Sequence, residues 1–288
     1  MNKTIFVVCC TIAILVFFPN QLAFSHELEF VYEVEWTKDA GKINLFIALP
    51  KSIEGRQQVN TIQYLTEEPF QILSKEDSDY AHFIINANKG TPGSKDIKIM
   101  IDFDTSPFIS EIQTVQIGLS EYLSTSTYFD KSLKEVRKLA ESIPHNNPVI
   151  MAVDIADKIN SILTYSKMSS SIGLKELLRD RIGDCTEYAD LFITIARIKN
   201  IPSRFVNGYF IHESGVDLHD WVEIYTTKYG WLCIDPMFSD KEIFRTWDDR
   251  LILTYNRYDS ILNGFHGFYY KNSGNGAANI KVIVKQYK

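Results

Sequence analysis

Cys185 is the strongest candidate for a catalytic residue in this sequence, because it lies at the start of an apolar helical pattern in the stretch GDCTEYA. The thiolate is the reactive form of cysteine, and the unpaired amides at a helix N-terminus favour negative charge. A lone cysteine in such a place is more often a small buried hydrophobe than a nucleophile. A catalytic role for Cys185 therefore requires a base and a group that orients the base.

His219 and Asp235 are the candidates for these two groups. His219 opens the strand pattern HDWVEIY, and Asp235 lies near the end of GWLCIDP. The segment between them predicts a β-hairpin with its turn at residues 227–230, which brings Asp235 back beside the start of the first strand. Adjacent strands lie about 5 Å apart, so an imidazole and a carboxylate on one face can meet. A register slip of one residue would turn Asp235 away.

These residue types define one mechanism. We predict that His219 takes the proton of the Cys185 thiol, and that Asp235 fixes the tautomer of His219 and stabilises its charged form. Asp184 is interpreted as the cap of the helix that Cys185 enters, and Gly183 as the glycine of a tight turn. Cys233 shares a face with Asp235 by strand alternation and is predicted to be a buried thiol, with any further role left open.

The three segments resemble the core of the transglutaminase-like superfamily: GDCTEYADLFITIARIKNIPSRFVNGY, HDWVEIY and GWLCIDP. The resemblance is specific over residues 181–237 and extends back to about 130. It implies a papain-like fold with a Cys-His-Asp triad, in which Cys185 is the nucleophile, His219 the base and Asp235 the orienting acid. The β-rich front half resembles the sandwich that precedes this core in many bacterial members. After Phe238 the sequence shows no such resemblance.

An enzyme that acts on acyl groups also needs donors for an oxyanion. The backbone N–H of Cys185 is the natural first donor. Members of the superfamily commonly use an aromatic or polar side chain upstream of the cysteine as the second donor, and Tyr165 is the nearest candidate; the alternative is that Tyr165 covers a helix end. Trp221 is interpreted as a core aromatic and Arg204 as an ion-pair partner, with substrate binding as the alternative for both residues.

The resemblance implies attack on an amide carbonyl and a thioester on Cys185. Water as the acceptor gives a peptidase or amidase, and a lysine amine gives a crosslinking protein-glutamine gamma-glutamyltransferase. Eukaryotic crosslinking members carry further β-domains after the core, whereas only a short segment follows Phe238 here, and this favours hydrolysis. The alternative from another class is a non-catalytic module that binds cell-envelope partners.

The remaining patterns predict the elements that position these residues. Alternating apolar residues in 28–36, 43–49 and 97–103 indicate strands with one buried face, so residues 26–115 are expected to form an all-β sandwich. Asp130 is predicted to cap one helix, Pro148 to begin a second, and Cys185 to begin a third that ends near Asn200. Strands follow, and residues 116–288 are therefore predicted to be an α+β catalytic domain.

Residues 1–25 have the layout of a secretory signal peptide. Lys3 precedes an apolar run from Ile5 to Phe18, and small residues follow up to Ser25. The run is shorter than the ~18–20 residues of a spanning helix, and an uncleaved N-terminal membrane anchor is the alternative. We therefore expect a secreted or periplasmic protein that begins near His26 and has no membrane span after cleavage.

Composition excludes several classes of function. The chain carries 30 basic and 36 acidic residues, a formal net charge of -6 that becomes one unit more negative without Lys3, and such a surface does not favour nucleic acid. Two mature cysteines are too few for a disulfide framework, and the six histidines show no metal-binding spacing. We expect no metal and no cofactor, and a peptide or protein as the substrate; the oligomeric state stays open.

Overall fold

The structure is a computed structural model that describes residues 23–75, 77–87, 90–106, 118–168, 170–238 and 247–287. It contains two four-stranded antiparallel sheets that share one core, and a third four-stranded antiparallel sheet packed against helices. Residues 1–22 of the predicted signal peptide lie outside the described residues.

The first two sheets form a β-sandwich, because their inner faces contribute to a single hydrophobic cluster. One sheet has the strand order β14-β1-β6-β3, and the other has the order β13-β2-β5-β4. The strands are β1 (Phe24–Trp36), β2 (Lys42–Leu49), β3 (Gln57–Tyr64), β4 (Phe70–Lys75), β5 (Ser78–Asn86), β6 (Gly93–Thr105), β13 (Phe268–Asn272) and β14 (Ala278–Tyr287).

The alternation seen in the sequence explains these strands. Leu28 and Phe30 of β1 lie opposite Ile101 and Ile99 of β6, and all four side chains are buried on one face. Successive side chains of a strand point to opposite faces, so every second residue is buried in the shared core. The predicted strands at 28–36, 43–49 and 97–103 are all present.

The predicted division of the chain at residues 115 and 116 needs a correction at its C-terminal end. It assigned the last segment to the catalytic domain, but β13 pairs with β2 and β14 pairs with β1 along ten residues of each strand. The apolar side of β14 includes Ile280, which is buried in the sandwich core. The sandwich is therefore built from both ends of the chain, with residues 118–254 between them.

Four helices lie in this middle segment: α1 (Lys134–Glu141), α2 (Pro148–Ile162), α3 (Leu174–Asp180) and α4 (Cys185–Ile198). Asn147 caps α2, and Pro148 occupies the first turn of the helix. Proline suits this position because the N–H that it lacks would have no partner within the helix. The predicted cap of α1 is wrong: the helix begins after Leu133, and Asp130 accepts instead from the N–H and hydroxyl of Ser132. The short helix α3 was not predicted.

The third sheet has the order β11-β10-β9-β12, with β9 (Ser203–His212), β10 (Gly215–Thr226), β11 (Gly230–Ile234) and β12 (Arg250–Thr254). Phe192 of α4 shares a buried cluster with Val222 and Ile234 of this sheet. A pair of two-residue strands, β7 (Thr164–Tyr165) and β8 (Ile182–Gly183), leads into α4. Helix α4 is thus held between the sheet and the other helices, and its first residue is Cys185.

The third sheet is also anchored to the sandwich. The side chain of Gln57 donates to the carbonyl of Ile252 at 2.9 Å and accepts from the N–H of Ile252 at 2.7 Å. A side chain of the sandwich thus makes the backbone hydrogen bonds that a neighbouring strand would make to β12. The ring of Tyr209 lies 4.9 Å from that of Phe30. These buried contacts connect the sheet that carries the candidate site to the sandwich.

None of the helices in the described part of the chain combines the length and apolar character that a membrane span requires. Strand β1 already begins at Phe24, so cleavage after Ser25 would remove the first two residues of that strand. Both residues are exposed and lie at the end of the strand pairing, opposite Thr105 and Asp104.

Candidate active site

The hairpin of β10 and β11 brings His219 and Asp235 together. Its last pair is Val222 with Ile234, so Asp235 follows the end of β11 and lies diagonally across from His219. Nε2 of His219 donates to Oδ2 of Asp235 at 2.8 Å. The hairpin and its turn match the sequence prediction, and they place the imidazole and the carboxylate in direct contact.

Arg250 completes the environment of Asp235 and was not identified from the sequence. Its Nη2 donates to the same oxygen of Asp235 at 3.0 Å, and the side chains of both residues are fully buried. The N–H of Met237 donates to the other carboxylate oxygen at 3.3 Å. Burial opposes the ionisation of Asp235, but His219 and Arg250 outweigh burial and hold the pKa of Asp235 below its usual value. Asp235 is therefore a carboxylate that keeps its charge inside the protein.

Aromatic rings enclose this charged group. The guanidinium of Arg250 lies 4.7 Å from the ring centre of Phe210 and 4.9 Å from that of Trp221, and the ring of His219 stacks on Trp221 at 6.2 Å. Trp221 is fully buried, so the alternative role of Trp221 in substrate binding is not supported. Gly208 lies opposite His219, and a side chain there would collide with Leu251 and with the Trp221 ring.

The first turn of α4 fixes the position of Cys185. Asp184 is the N-cap and accepts from the N–H of Thr186 at 3.0 Å, as the sequence predicted. The carboxylate of Glu187 accepts from the N–H of Asp184 at 3.1 Å, which completes a capping box. Gly183 does not have a positive φ; a Cβ at this position would lie 2.7 Å from Cβ of Glu187. The glycine allows close packing against the helix and is not required by a turn.

The thiol of Cys185 is partly exposed and neutral at rest. Burial is the largest effect on its pKa, followed by the nearby carboxylates of Asp220 and Asp184, and together they raise that pKa well above the usual value. A hydrogen bond from the backbone N–H of Asp220 acts in the opposite direction and is weaker. The helix N-terminus alone therefore does not lower the pKa of Cys185 below its usual value.

Cys185, His219 and Tyr165 line one cavity of about 630 Å³. Tyr165 comes from β7, whose pairing with β8 places it next to the chain that enters α4. Its side chain is half exposed, and burial, followed by the neighbouring Cys185 and Asp184, raises the pKa of Tyr165. A neutral phenol can donate a hydrogen bond, so Tyr165 is present at the thiol in the form that an oxyanion donor requires.

A second carboxylate–imidazole pair lies in the wall of this cavity. Nδ1 of His266 is 3.0 Å from Oδ2 of Asp220, and the same carboxylate accepts from the hydroxyl of Thr186 at 2.6 Å and from Nδ2 of Asn207 at 2.8 Å. His266 and Asp220 both line the cavity. Sequence analysis singled out neither residue.

Arg204 lies away from this cavity. Its guanidinium pairs with the buried carboxylate of Glu223, with Nε 2.8 Å from the carboxylate oxygen, and lies between the rings of Trp231 and Tyr255. It borders a different cavity of about 640 Å³, which includes neither Cys185 nor His219 in its wall. The structural role of Arg204 agrees with the main interpretation of the sequence, and substrate binding at the thiol is not supported.

Cys233 is a buried thiol, packed in a small cluster with Trp221 and Ile252. Burial raises the pKa of Cys233 to about 12. Within the described ranges, no three histidine, cysteine or acidic side chains are grouped so that they could hold a metal ion.

Comparison with known proteins identifies the family. Residues 137–236 match the profile of the transglutaminase-like superfamily, so this segment carries a transglutaminase-like domain. The segment includes Cys185, His219, Asp235 and Tyr165, whereas Arg250 and His266 lie outside it.

Two relatives and one solved structure are similar to the chain. An uncharacterized protein of Mycobacterium tuberculosis is 26% identical over 193 residues, which cover 59% of this chain and 60% of that protein. A protein-glutamine gamma-glutamyltransferase of Pseudomonas aeruginosa is 33% identical over 80 residues, which cover 23% of this chain and 12% of that enzyme. The chain thus matches less than two thirds of the length of either relative.

The solved structure is "a Putative Cysteine Protease from Cytophaga hutchinsonii". It superposes with a TM-score of 0.67 over 92% of this chain and 91% of that chain, at 16% sequence identity. At this identity the similarity establishes a shared fold, which extends over the sandwich as well as the segment with the candidate site.

Proposed function

We propose that the protein is a cysteine-dependent enzyme with a papain-like catalytic core, which attacks amide carbonyls through Cys185, His219 and Asp235. The observation that carries this proposal is the 2.8 Å hydrogen bond between His219 and Asp235 at a cavity that also contains the Cys185 thiol. This arrangement joins a nucleophile, a base and a group that orients the base.

The hydrogen bond between His219 and Asp235 supports the following proton transfers. Because Nε2 of His219 donates to Asp235, its Nδ1 carries the lone pair that can accept the thiol proton. Sγ of Cys185 then attacks the carbonyl carbon, a C–S bond forms, and the C=O electron pair moves onto oxygen. When this intermediate collapses, the C–N bond breaks and the amine leaves with the proton from His219. A thioester remains on Cys185.

The thioester is resolved by an acceptor that loses its proton to Nδ1 of His219. With water as the acceptor, the C–S bond breaks, the acyl group leaves as a carboxylic acid, and the proton returns to Sγ. The ionised Asp235 stabilises the charged imidazole that forms in these transfers. The backbone N–H of Cys185 and the hydroxyl of Tyr165 are the proposed donors to the oxyanion in both steps.

Hydrolysis is the favoured outcome. Crosslinking requires the exclusion of water from the thioester. The cavity is bordered by Tyr165 and Leu218, which are 52% and 39% exposed, so water can approach Cys185 along this side. Peptidase or amidase activity follows, and the name of the Cytophaga hutchinsonii structure points in the same direction.

Transamidation is the second candidate. The segment shared with the gamma-glutamyltransferase of Pseudomonas aeruginosa supports it, since that enzyme's name describes acyl transfer from protein glutamine. A non-catalytic module that binds cell-envelope partners through the sandwich is the alternative from another class.

A glutamine donor peptide, with and without a primary amine, separates these functions. Hydrolysis releases ammonia and converts glutamine to glutamate whether or not the amine is present, whereas transamidation produces the amine adduct. Cys185→Ala should abolish both products, and Cys233→Ser is the matched control that should keep them. If a general set of peptide amides gives no product with the folded wild-type protein, the binding module is favoured.

We also propose that the protein is exported, with residues 1–25 as the signal peptide and a mature chain that begins near His26. The order of charged, apolar and small residues in 1–25 supports export. Mass spectrometry of the protein from its native host tests this proposal, and an intact N-terminal peptide on the protein would contradict it.

A further inference from the structure

His266 lies in the wall of the Cys185 cavity together with His212 and His219. It precedes β13, and the carbonyl of His266 accepts from the N–H of Phe268, the first residue of that strand. Its imidazole reaches across to β10, where Nδ1 lies 3.0 Å from the carboxylate of Asp220. The residue that enters the cavity therefore belongs to the chain segment that closes the sandwich.

The surroundings of His266 keep it charged. Nδ1 of the ring faces the Asp220 carboxylate, whereas Nε2 is buried and has no hydrogen-bond partner among the described residues. The backbone carbonyl of Arg257 also favours the charged form. Burial opposes the charged form, but Asp220 and this carbonyl outweigh burial and raise the pKa of His266. For Asp220, burial likewise opposes ionisation, and His266, Thr186 and Asn207 outweigh it, so the pKa of Asp220 is lowered. The raised pKa of His266 and the lowered pKa of Asp220 are those expected for an ion pair.

Asp220 is the part of this pair that affects the thiol. Its backbone N–H donates to the sulfur of Cys185, and its side chain accepts from Thr186, the residue after Cys185 on α4. Its carboxylate is also the one whose charge disfavours the thiolate most. Asp220 thus holds the start of α4 against β10 and, without a compensating cation, would suppress the reactivity of Cys185.

We propose that Asp220 and His266 form a positioning pair for Cys185, in which Asp220 fixes the first turn of α4 and the His266 imidazolium offsets part of the charge of Asp220 toward the thiolate. This inference extends the proposed cysteine mechanism and rests on it. His219 remains the base, because its Nδ1 is available for the thiol proton. Nδ1 of His266 is held by the Asp220 carboxylate, so His266 acts as a fixed cation.

Several other charged or titratable side chains border the thiol and His266. Asp184 and Cys185 come from the start of α4, Tyr165 and Lys167 from the segment after α2, and Asp217 and His219 from β10. Arg257 and Asp190 form an ion pair behind His266 at 2.8 Å. These groups stay unchanged in the experiment below, so a difference between variants reports on Asp220 and His266.

Alkylation of Cys185 by iodoacetamide between pH 6 and pH 10 tests the pair without a substrate. It is measured in a Cys233→Ser background, for His266→Gln, Asp220→Asn and the double variant. His266→Gln should slow alkylation at pH 8 about tenfold, because one pKa unit changes the thiolate fraction by that factor. Adding Asp220→Asn to His266→Gln should restore the rate, because the uncompensated carboxylate is then gone.

His82→Gln is the matched control, since His82 is a hydrogen-bonded histidine in the sandwich, outside the cavity. A His266→Gln rate equal to that of His82→Gln would overturn the proposal. A double variant as slow as His266→Gln, or slower, would also overturn it and reduce the pair to a structural contact.

If the His266→Gln variant does not fold, the alkylation of Cys185 in the single variant Asp220→Asn tests the proposal. Its alkylation curve should move to lower pH, and an unmoved curve or one at higher pH contradicts the proposal. A protein that follows these expectations but does not turn over any amide would refute the proposed enzymatic function and leave this inference standing.

Discussion

Arg250 and His219 donate to the same oxygen of Asp235, at 3.0 and 2.8 Å. The carboxylate therefore cannot rotate to satisfy one partner without losing the other. A buried ion that loses its partner is destabilising by about 3–5 kcal/mol, whereas an exposed pair contributes little. Arg250 thus determines both the charge of Asp235 and the orientation of the His219 ring.

Arg250→Met should reduce the free energy of unfolding by about 3–5 kcal/mol, because it leaves Asp235 buried without its cation. It should also raise the pKa of Asp235. As the pH is lowered, amide turnover should therefore be lost at a higher pH in this variant than in the wild type. Urea unfolding and a pH–rate profile measure the two effects.

The pair between Arg179 and Asp180 is the matched control for Arg250, since it is exposed on α3. Arg179→Met should leave stability and the pH profile nearly unchanged. If Arg250→Met behaves in the same way, Arg250 has no role in positioning Asp235.

Tyr165→Phe should lower amide turnover by about 100-fold, because it removes one donor to the oxyanion. The side chain is half exposed, so the change should leave the stability of the fold intact. Alkylation of Cys185 forms no oxyanion and should proceed at the wild-type rate. The exposed Tyr229, in the turn between β10 and β11, provides the control Tyr229→Phe. Equal turnover in the two variants would remove Tyr165 from the mechanism.

Cys185 should be the cysteine that reacts in the folded protein, because it borders the cavity while Cys233 is buried with its pKa raised to about 12. Its pKa is raised, so the alkylation rate should still be increasing about tenfold per pH unit at pH 8 and should not level off near neutrality. Mass spectrometry of labelled peptides assigns the site. A rate that is constant from pH 6 to pH 8 would indicate a resting thiolate.

Glu187 should make stability depend on pH. Burial and the neighbouring Asp184 raise the pKa of Glu187 from 4.5 to about 7. A carboxyl with a raised pKa in the folded state binds its proton more tightly there than in the unfolded chain, so its contribution is fully present below pH 4.5 and is lost as pH rises through about 7. In Glu187→Gln this loss should be absent.

Urea unfolding at pH 5, 6, 7 and 8 measures the effect of Glu187, with the exposed Glu176 of α3 as the control site. The difference between wild type and Glu187→Gln should grow from pH 5 to pH 7. A constant difference over this range would mean that Glu187 is ionised throughout.

A chain that starts at Ser120 should not fold into a reactive enzyme. It lacks β1 and β2, the partners of β14 and β13, and it lacks Gln57, which hydrogen-bonds to Ile252 in β12. The full chain should show a cooperative thermal transition and alkylation of Cys185, and the shortened chain should show no cooperative transition. A folded, reactive fragment would contradict the arrangement of the sheets.

The parts of the site that depend on local patterns could be predicted. The alternation in HDWVEIY and the turn at 227–230 predicted the hairpin, and the hairpin geometry brings His219 to Asp235. The cap by Asp184 was also readable, and the spacing of Asp184 and Glu187 is the signal of a capping box that could have identified Glu187.

Arg250 and His266 could not be predicted, because tertiary packing and not local pattern selects them. Arg250 is a charged residue at the start of β12, and only its place opposite Phe210 on β9 turns it toward Asp235. His266 lies in a loop with no periodic signal, and its position follows from the pairing of β13 with β2. The same pairing explains the error in the predicted domain boundary.

β13 and β14 each form one edge of a sandwich sheet, and they are synthesised after all the other strands in the described part of the chain. Until they emerge, β1 and β2 each present an open edge of backbone groups, which can pair with another chain. Synthesis proceeds from the N-terminus at roughly 5–20 residues per second, so these edges stay open while the segment with Cys185 and His219 is made. Pairing of β13 with β2 and of β14 with β1 covers both edges, and the segment before β13 delivers His266 to the cavity, so completion of the sandwich and completion of the site are coupled.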